Sequence, residues 1–506
     1  MDNANLYDLF RSRFAADLDA PFLETEEGRV LTYGDLDAET GRIANLLAAR
    51  GVLPGERVAV QVDKSPEALL LYLACLRTGA VYLPLNTAYQ RAELEYFIGD
   101  ASPRLVVCRP SARGMVEELA AAAGCSVVLD LDENGRGSLM EEASRHPAGF
   151  ATVPRAPDDL AAILYTSGTT GRSKGAMLSH RNLASNALVL HDYWGWKKGD
   201  VLLHALPIFH AHGLFVACHC ALLNASPMLW LKKFDSRQVL RFLPRATVFM
   251  GVPTFYTRLL ETAELDRQAC ANMRLFISGS APLLAETHRE FTERTGHVIL
   301  ERYGMTETIM LTSNPLDGER RAGTVGFPLP GVAVRIAGEH DQSLAAGEVG
   351  HVQVKGDNVF GGYWRMPEKT REEFTADGFF RTGDLGIIAP DGYITLVGRS
   401  KDLIISGGYN VYPKEIESYL DELPGVAESA VIGVPHRDFG EAVAAVIVPD
   451  GSTARQDEDS IIALMKERVA GFKVPKRVVF VDQLPRNAMG KVQKNLLREQ
   501  LLEVAP

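Results

Sequence analysis

Residues 165–175, YTSGTTGRSKG, crowd three glycines, several hydroxyl side chains and a lysine into one loop between the apolar runs 161–164 and 176–178. Glycine-rich backbone presents N–H donors together, Ser and Thr add hydroxyl donors, and Lys adds a compact charge, so the fitting guest is a polyphosphate. A nucleoside-triphosphatase loop, G-x-x-x-x-G-K-[ST] opening a helix, is a different device. Counted from Gly168, this chain has Ser173 in place of the second glycine and Gly175 where a magnesium-binding hydroxyl belongs.

Five further segments have types and spacing suited to the same guest. They are LPIFHAHG (206–213), SGSAP (278–282), YGMTET (303–308), FRTGD (380–384) and PRNAMGKVQK (485–494). Gly279 follows a β run and precedes Pro282, which the spacing predicts to lie in the first turn of a helix, so backbone there can approach a flat base. Glu307 offers the hard oxygen that magnesium takes alongside phosphate oxygens. Gly490 before Lys491 predicts a tight, exposed loop that carries the lysine into a cleft. Alone, Asp384 reads as a turn-capping carboxylate after Gly383, Tyr303 as a core aromatic and Lys491 as a solvated charge.

In this order the six segments resemble the acyl-adenylate-forming superfamily of acyl-CoA synthetases, adenylation domains and luciferases, and the resemblance spans essentially the whole chain. It implies that Thr166, Ser167, Gly168, Thr169, Thr170 and Lys174 meet the β- and γ-phosphates. Gly279, Ser280, Ala281, Pro282, Tyr303 and Gly304 would wall the nucleotide, with Tyr303 stacked on the purine. Thr306 would touch the α-phosphate, Glu307 would hold Mg2+, and Asp384, aided by Arg399, would accept from the ribose hydroxyls. Lys491 would bridge the attacking carboxylate and the α-phosphate. His210, Ser278 and Met305 would face the acid. Lys401, two residues beyond Arg399, would be the hinge of a swinging C-terminal domain, and Gly407 and Gly408 would line the channel for coenzyme A.

The chemistry so implied is attack of a carboxylate on the α-phosphate of ATP, giving acyl-adenylate and pyrophosphate, then displacement of AMP by a thiol. Coenzyme A is the expected acceptor because no carrier-protein segment follows Lys491; a free-standing carrier protein is the alternative. In FMGVPTFYTRLL (249–260), Arg258 offers a planar fork to a second carboxylate, against a surface pairing with Glu261 or Glu264. The wording of this stretch, of the loop and of ERYGMTET resembles malonyl-CoA synthetases, including those that take methylmalonate. That branch implies a short dicarboxylic acid, against a short- or medium-chain acyl-CoA synthetase as the alternative. TETIMLTSNP departs from it, being apolar at Ile309 to Leu311.

The elements that must position these groups are legible too. From about Glu39 to Asp100 helical TGRIANLLAARG and PEALLLYLACLRTGA alternate with β runs RVAVQV and RLVVCR, and the alternation returns at 201–300 in ATVFMGVP, RLFISGSAP and HVILERYG. Such alternation predicts parallel sheets covered by helices. After Asn314 the helices give way to Gly-punctuated strands, a small antiparallel unit. From Asp402 a compact α+β segment follows. The expected architecture is α/β: a large N-terminal domain (1–400) with parallel sheets and a small antiparallel unit, then a small mobile α+β domain (401–506).

The chain of 506 residues is 46% hydrophobic and 23% charged, as folded enzymes are. Its net charge of -11 opposes nucleic acid or an anionic membrane as partner. Nine Lys/Arg against three acids between Ile461 and Glu499 make one end locally positive, suited to a small anion. The six cysteines lack paired spacing, which points to a reduced, cytoplasmic setting, and Cys218, His219 and Cys220 lack the repeated ligand pairs of a zinc site. The opening twenty residues have no long apolar core and carry four Asp, unlike a transit peptide.

Overall fold

The computed structural model describes residues 3–166, 173–406, 409–436, 440–451, 456–487 and 490–503. It divides into two compact units, Met1–Ala333 with Lys355–Phe374, and Val334–Val354 with Thr375–Pro506.

In the first unit a six-stranded sheet runs in the order Val128–Asp130, Leu105–Cys108, Arg57–Gln61, Val81–Pro84, Leu160–Thr166, Lys174–Ser179. Its first five strands are parallel and the last is antiparallel. A nine-stranded sheet holds six parallel strands at its centre, with antiparallel strands at both edges. Short runs such as VAV and LVV are buried on both faces, as parallel strands under helices must be. The helix Pro66–Thr78 shows how the sequence punctuates these elements. Ser65 caps it, Pro66 starts it, and Gly79 ends it at φ +71°. Every residue between is buried, which marks an interior helix. The opening residues are core as well, since the helix Leu6–Phe14 buries Leu6, Tyr7, Phe10 and Phe14.

The second unit contains a four-stranded sheet, Ala333–Ala337, Gly350–Lys355, Phe380–Ile388 and Ile394–Arg399, and a five-stranded sheet built on the long pair Val426–His436 and Gly440–Pro449. Helices Pro413–Asp421 and Glu458–Arg468 supply Ile416, Leu420, Ile461 and Met465 to the core of the second sheet.

Two expectations are corrected. The helix after SGSAP begins at Ala285 rather than at Pro282, because buried Leu283 is drawn into the core from extended chain and Pro282 is left exposed. The stretch after Asn314 is not free of helix, since Pro367–Glu373 forms one with proline at its start. Among the described residues no helix is long and apolar enough to cross a membrane.

Candidate active site

The loop opens from a β-hairpin. Strands Leu160–Thr166 and Lys174–Ser179 pair antiparallel, with Tyr165 opposite Gly175 and Thr166 opposite Lys174. A strand therefore follows the loop, where a triphosphatase loop would have a helix. Ser167, Gly168, Thr169 and Thr170 lie outside the described residues. One helix, Arg91–Ala101, clamps both ends of the loop. Its Asp100 accepts from the Tyr165 hydroxyl, and its Tyr96 donates to the Ser173 carbonyl at 2.8 Å. Tyr96 and Asp100 stand four apart and so share a helix face. Phe97 adds a ring contact to Tyr165 at 4.6 Å.

Beside the hairpin, Glu307 sits in the tight connection between strands Leu300–Met305 and Ile309–Ser313. A Cβ at position 304 would stand 1.8 Å from the Ile309 carbonyl oxygen, so Gly304 is what lets this connection close. Glu307 is buried, and its Oε1 accepts from Tyr363 Oη at 3.0 Å and from Thr166 Oγ1 at 3.4 Å. Lys174 is buried too, with Nζ 3.3 Å from Glu373 Oε1 and 4.2 Å from the centre of the Tyr363 ring. Tyr363 thus joins the loop lysine to the acidic residue. A buried carboxylate among two hydroxyls is an all-oxygen donor set, the kind magnesium takes once phosphate oxygens complete the shell. Thr306 is half-buried in the same connection, and Tyr303 is buried in the strand before it.

Next to these lies a second cluster with unmet hydrogen-bonding capacity. Ser278 ends the strand Leu275–Ser278, and the chain turns at Ser280 with φ +72°, a conformation uncommon outside glycine. The Arg302 guanidinium lies over Gly279, so closely that a Cβ there would stand 2.3 Å from it. Arg302 is 4% exposed. Among the described residues its Nε and Nη2, Ser278 Oγ and His212 Nε2 have no hydrogen-bond partner. Burial holds Arg302 down at about 9, far below an ordinary guanidinium. His212 Nδ1 is 3.2 Å from Ser280 Oγ, and burial, with Arg302 nearby, keeps its imidazole neutral. His210 is half-buried and pushed down to about 4 by the same loss of water. Met305 and Ala281 are half-buried.

Arg258 has a different setting. The helix Pro253–Leu260 buries Tyr256, Leu259 and Leu260, and Arg258 lies on its exposed face. Cys218, His219 and Cys220 are consecutive and buried where the π-helical stretch His212–Cys218 passes into the helix His219–Leu223, with His219 Nε2 hydrogen-bonded to Tyr72 Oη at 2.8 Å.

In the second unit Asp384 and Arg399 are directly opposite each other on paired strands, and Arg399 Nε reaches Asp384 Oδ1 at 2.8 Å. Gly383, at φ +72°, turns the chain just before the carboxylate. Lys401 is exposed in the single turn Ser400–Asp402. Lys491 follows Gly490, at φ +73°, in a small closed loop. Its amide donates to Asn487 Oδ1 at 3.0 Å, and the Asn487 amide donates back to its carbonyl at 2.9 Å. Surrounding protein lowers the Lys491 ammonium to about 8, with Arg399 and Lys401 pushing the same way and Asp384 and Asp402 opposing. Gly407 and Gly408 lie outside the described residues.

Residues 10–364 match the family model of the AMP-binding enzyme, and residues 415–491 match that of the AMP-binding enzyme C-terminal domain. The chain belongs to the AMP-binding enzyme family. Among its relatives in that family is the malonate--CoA ligase of Arabidopsis thaliana, 36% identical over 94% of this chain and 85% of that protein. The feruloyl-CoA synthase of an Amycolatopsis species is also 36% identical, over 94% of each. The crystal structure of ATP-bound MatB from Rhodopseudomonas palustris superposes with a TM-score of 0.97 at 57% identity, covering 99% of this chain and 100% of that one. The two ligases at equal identity bear names with different acids, so the family fixes the adenylate chemistry, and the acid must be read from the pocket.

Sequence reasoning singled out the loop, Glu307, Asp384 with Arg399, and Lys491. It passed over Tyr363, Arg302 and His212. The signal for Arg302 was its neighbour across the sheet, a glycine in SGSAP whose missing side chain leaves room for the guanidinium. Tyr363 gave no signal, because the chain between it and Glu307 runs through 55 residues.

Proposed function

We propose that this chain activates malonate with ATP and transfers it to coenzyme A, giving malonyl-CoA, AMP and pyrophosphate. The observation that carries the acid is Arg302, a buried guanidinium with two unpartnered nitrogens, flanked by Ser278 Oγ and His212 Nε2, which among the described residues also lack partners. A buried cation is tolerated where a counter-ion completes it. The distal carboxylate of a short diacid supplies that charge and two acceptors matched to the planar fork. The neutral chain of a fatty or aromatic acid would leave the fork unpaired. The relatives called malonate--CoA ligase and the likeness to MatB support the same reading.

The proximal carboxylate of the bound acid attacks the α-phosphate. It is a weak nucleophile approaching an anion, so the protein's work is alignment and charge neutralisation. Lys491 bridges the attacking oxygen and the α-phosphate. The loop donors and Lys174, released from Glu373, hold the β- and γ-phosphates. Asp384, oriented by Arg399, accepts from the ribose, and Tyr303 and the SGSAP backbone wall the base. Glu307 would hold magnesium, which would supply neutralisation of the polyphosphate charge. Pyrophosphate leaves, the thiolate of coenzyme A adds to the acyl carbon, and the acyl–phosphate bond breaks to release AMP. Gly407 and Gly408 let the pantetheine arm approach. All six cysteines are free and buried, which supports a reduced, cytoplasmic setting. The function is tested by incubating the purified chain with ATP, Mg2+, coenzyme A and malonate. One AMP and one pyrophosphate per malonyl-CoA are expected, and hydrolysis to ADP would contradict the scheme.

Lys401 serves as the hinge between the two half-reactions. Lys401→Pro should leave the fold intact, since proline is accommodated in a first turn, yet fix a φ that must change. Adenylate formation, read as pyrophosphate release, is expected to persist while thioester formation falls by more than about tenfold. Normal overall turnover would place the hinge elsewhere.

A further inference from the structure

Linked through His204 to the 206–213 segment is a buried ammonium that the adenylate chemistry does not use. Lys64 follows the strand Arg57–Gln61 and is 9% exposed. Its Nζ donates to His204 Nδ1 at 2.8 Å, to the His204 carbonyl at 2.9 Å and to the Leu231 carbonyl at 2.7 Å. It also stands 4.2 Å from the centre of the Trp230 ring, on which His204 stacks at 4.6 Å. Among the described residues no carboxylate is in hydrogen-bond reach of it.

Three acceptors match the three N–H bonds of a charged lysine and exceed the two of a neutral one. With Nδ1 accepting, His204 carries its proton on Nε2, which then donates to the Gly213 carbonyl at 2.9 Å. The opposite tautomer would set a lone pair against that carbonyl, with only the weak S–H donor of Cys218, at 3.4 Å, to meet it. Gly213 closes the 206–213 segment, so tightly that a Cβ would stand 2.1 Å from the Pro207 carbonyl oxygen, and it belongs to the π-helical turn His212–Cys218. His212, one residue before it, reaches Ser280 beside Arg302. π-Helical turns are uncommon and recur at functional sites, where a specific contact must hold them.

We propose that Lys64 is a positioning residue for the acid pocket: its charged ammonium fixes the His204 tautomer, and His204 through the Gly213 carbonyl fixes the turn that presents His212 to the acid. Lys64 acts through His204 and does not touch substrate. Burial lowers the ammonium to about 7, and the three acceptors around Nζ oppose that loss of charge. The other titratable groups it feels are Cys218, a thiol pushed up to about 12, and the carboxylate of Glu26. The inference rests on the reading of the pocket as the acid site.

The test is a double-mutant cycle. Lys64→Met keeps the length of the side chain and removes the charge. It is expected to raise the KM for malonate about tenfold, the scale of one hydrogen bond to an ionised group. The kcat and the KM for ATP should stay within about twofold. In a His212→Ala background the same substitution should change the malonate KM by less than about twofold, because the relay has lost its end. A tenfold change there as well, or an equal change in the ATP KM, would make Lys64 a merely structural residue. Nitrogen NMR of His204, assigned by difference with His204→Gln, checks the unaltered protein whether or not Lys64→Met folds. A proton on Nε2 is expected, and a proton on Nδ1 overturns the proposal. If the unaltered enzyme makes no malonyl-CoA, it is the identity of the acid that fails, and the cycle is run with the acid it turns over best.

Discussion

Lys491→Ala should lose adenylate formation by about two to three powers of ten, the usual result of removing one preorganised contact to charge that develops in the transition state. Thioester formation from supplied malonyl-adenylate should largely survive, since the thiol's attack on the acyl carbon does not need this ammonium. The pair of half-reactions separates a chemical role from a folding defect, which would lower both. A pH profile adds a second sign. With its ammonium near 8, Lys491 is charged below that pH and neutral above it. The kcat/KM for malonate in the adenylating step, which reports the free enzyme, should therefore fall as pH rises through about 8. Bound polyphosphate favours the ammonium, so kcat should hold to higher pH. A profile that rises through this range would contradict the role.

Arg302→Met should lower kcat/KM for malonate by about thirtyfold to several thousandfold. Removing one member of a buried charge pair costs roughly 2 to 5 kcal/mol, and each 1.4 kcal/mol is about a factor of ten. Butyrate has no second carboxylate and should lose nothing. It should gain, because the uncompensated guanidinium that opposes its apolar end is gone. Arg302→Lys keeps a charge and loses the fork, and intermediate malonate activity would mark recognition by two parallel hydrogen bonds. Arg258→Ala is the companion measurement. An exposed arginine should change malonate selectivity by less than about threefold, within the range of ordinary surface substitutions. A larger loss at Arg258 than at Arg302 would move the distal carboxylate to the helix Pro253–Leu260.

The two arginines show what a sequence discloses about such a site and what it withholds. The sequence reading offered Arg258 to the second carboxylate, but Tyr256, Leu259 and Leu260 take the inward face of their helix and Arg258 lies outside it. Arg302 has no such pattern around it. It is buried because the parallel pairing of Leu275–Ser278 with Leu300–Met305 brings it beside a glycine, and only register reveals that contact. Punctuation was easier to read. Ser65, Pro66 and Gly79 bound a helix by local chemistry, whereas Leu283, drawn into the core, delayed the helix after Pro282 by tertiary packing. The loop at 165–175 is legible as a loop between two apolar runs, but the hairpin those runs form, and the helix Arg91–Ala101 that clamps the loop's ends from some seventy residues earlier, are seen only in the fold. Lys64 and His204 are likewise distant in sequence and meet only in the fold.

The most direct measurement is a competition between malonate and butyrate at equal concentration, with ATP, Mg2+ and coenzyme A, in which the two thioesters are quantified from one reaction. The ratio of products equals the ratio of kcat/KM, the quantity that pairing at Arg302 controls. Malonyl-CoA in excess of butyryl-CoA by at least about thirtyfold is predicted. Butyryl-CoA in equal or greater amount would contradict the assignment of the pocket to a dicarboxylic acid.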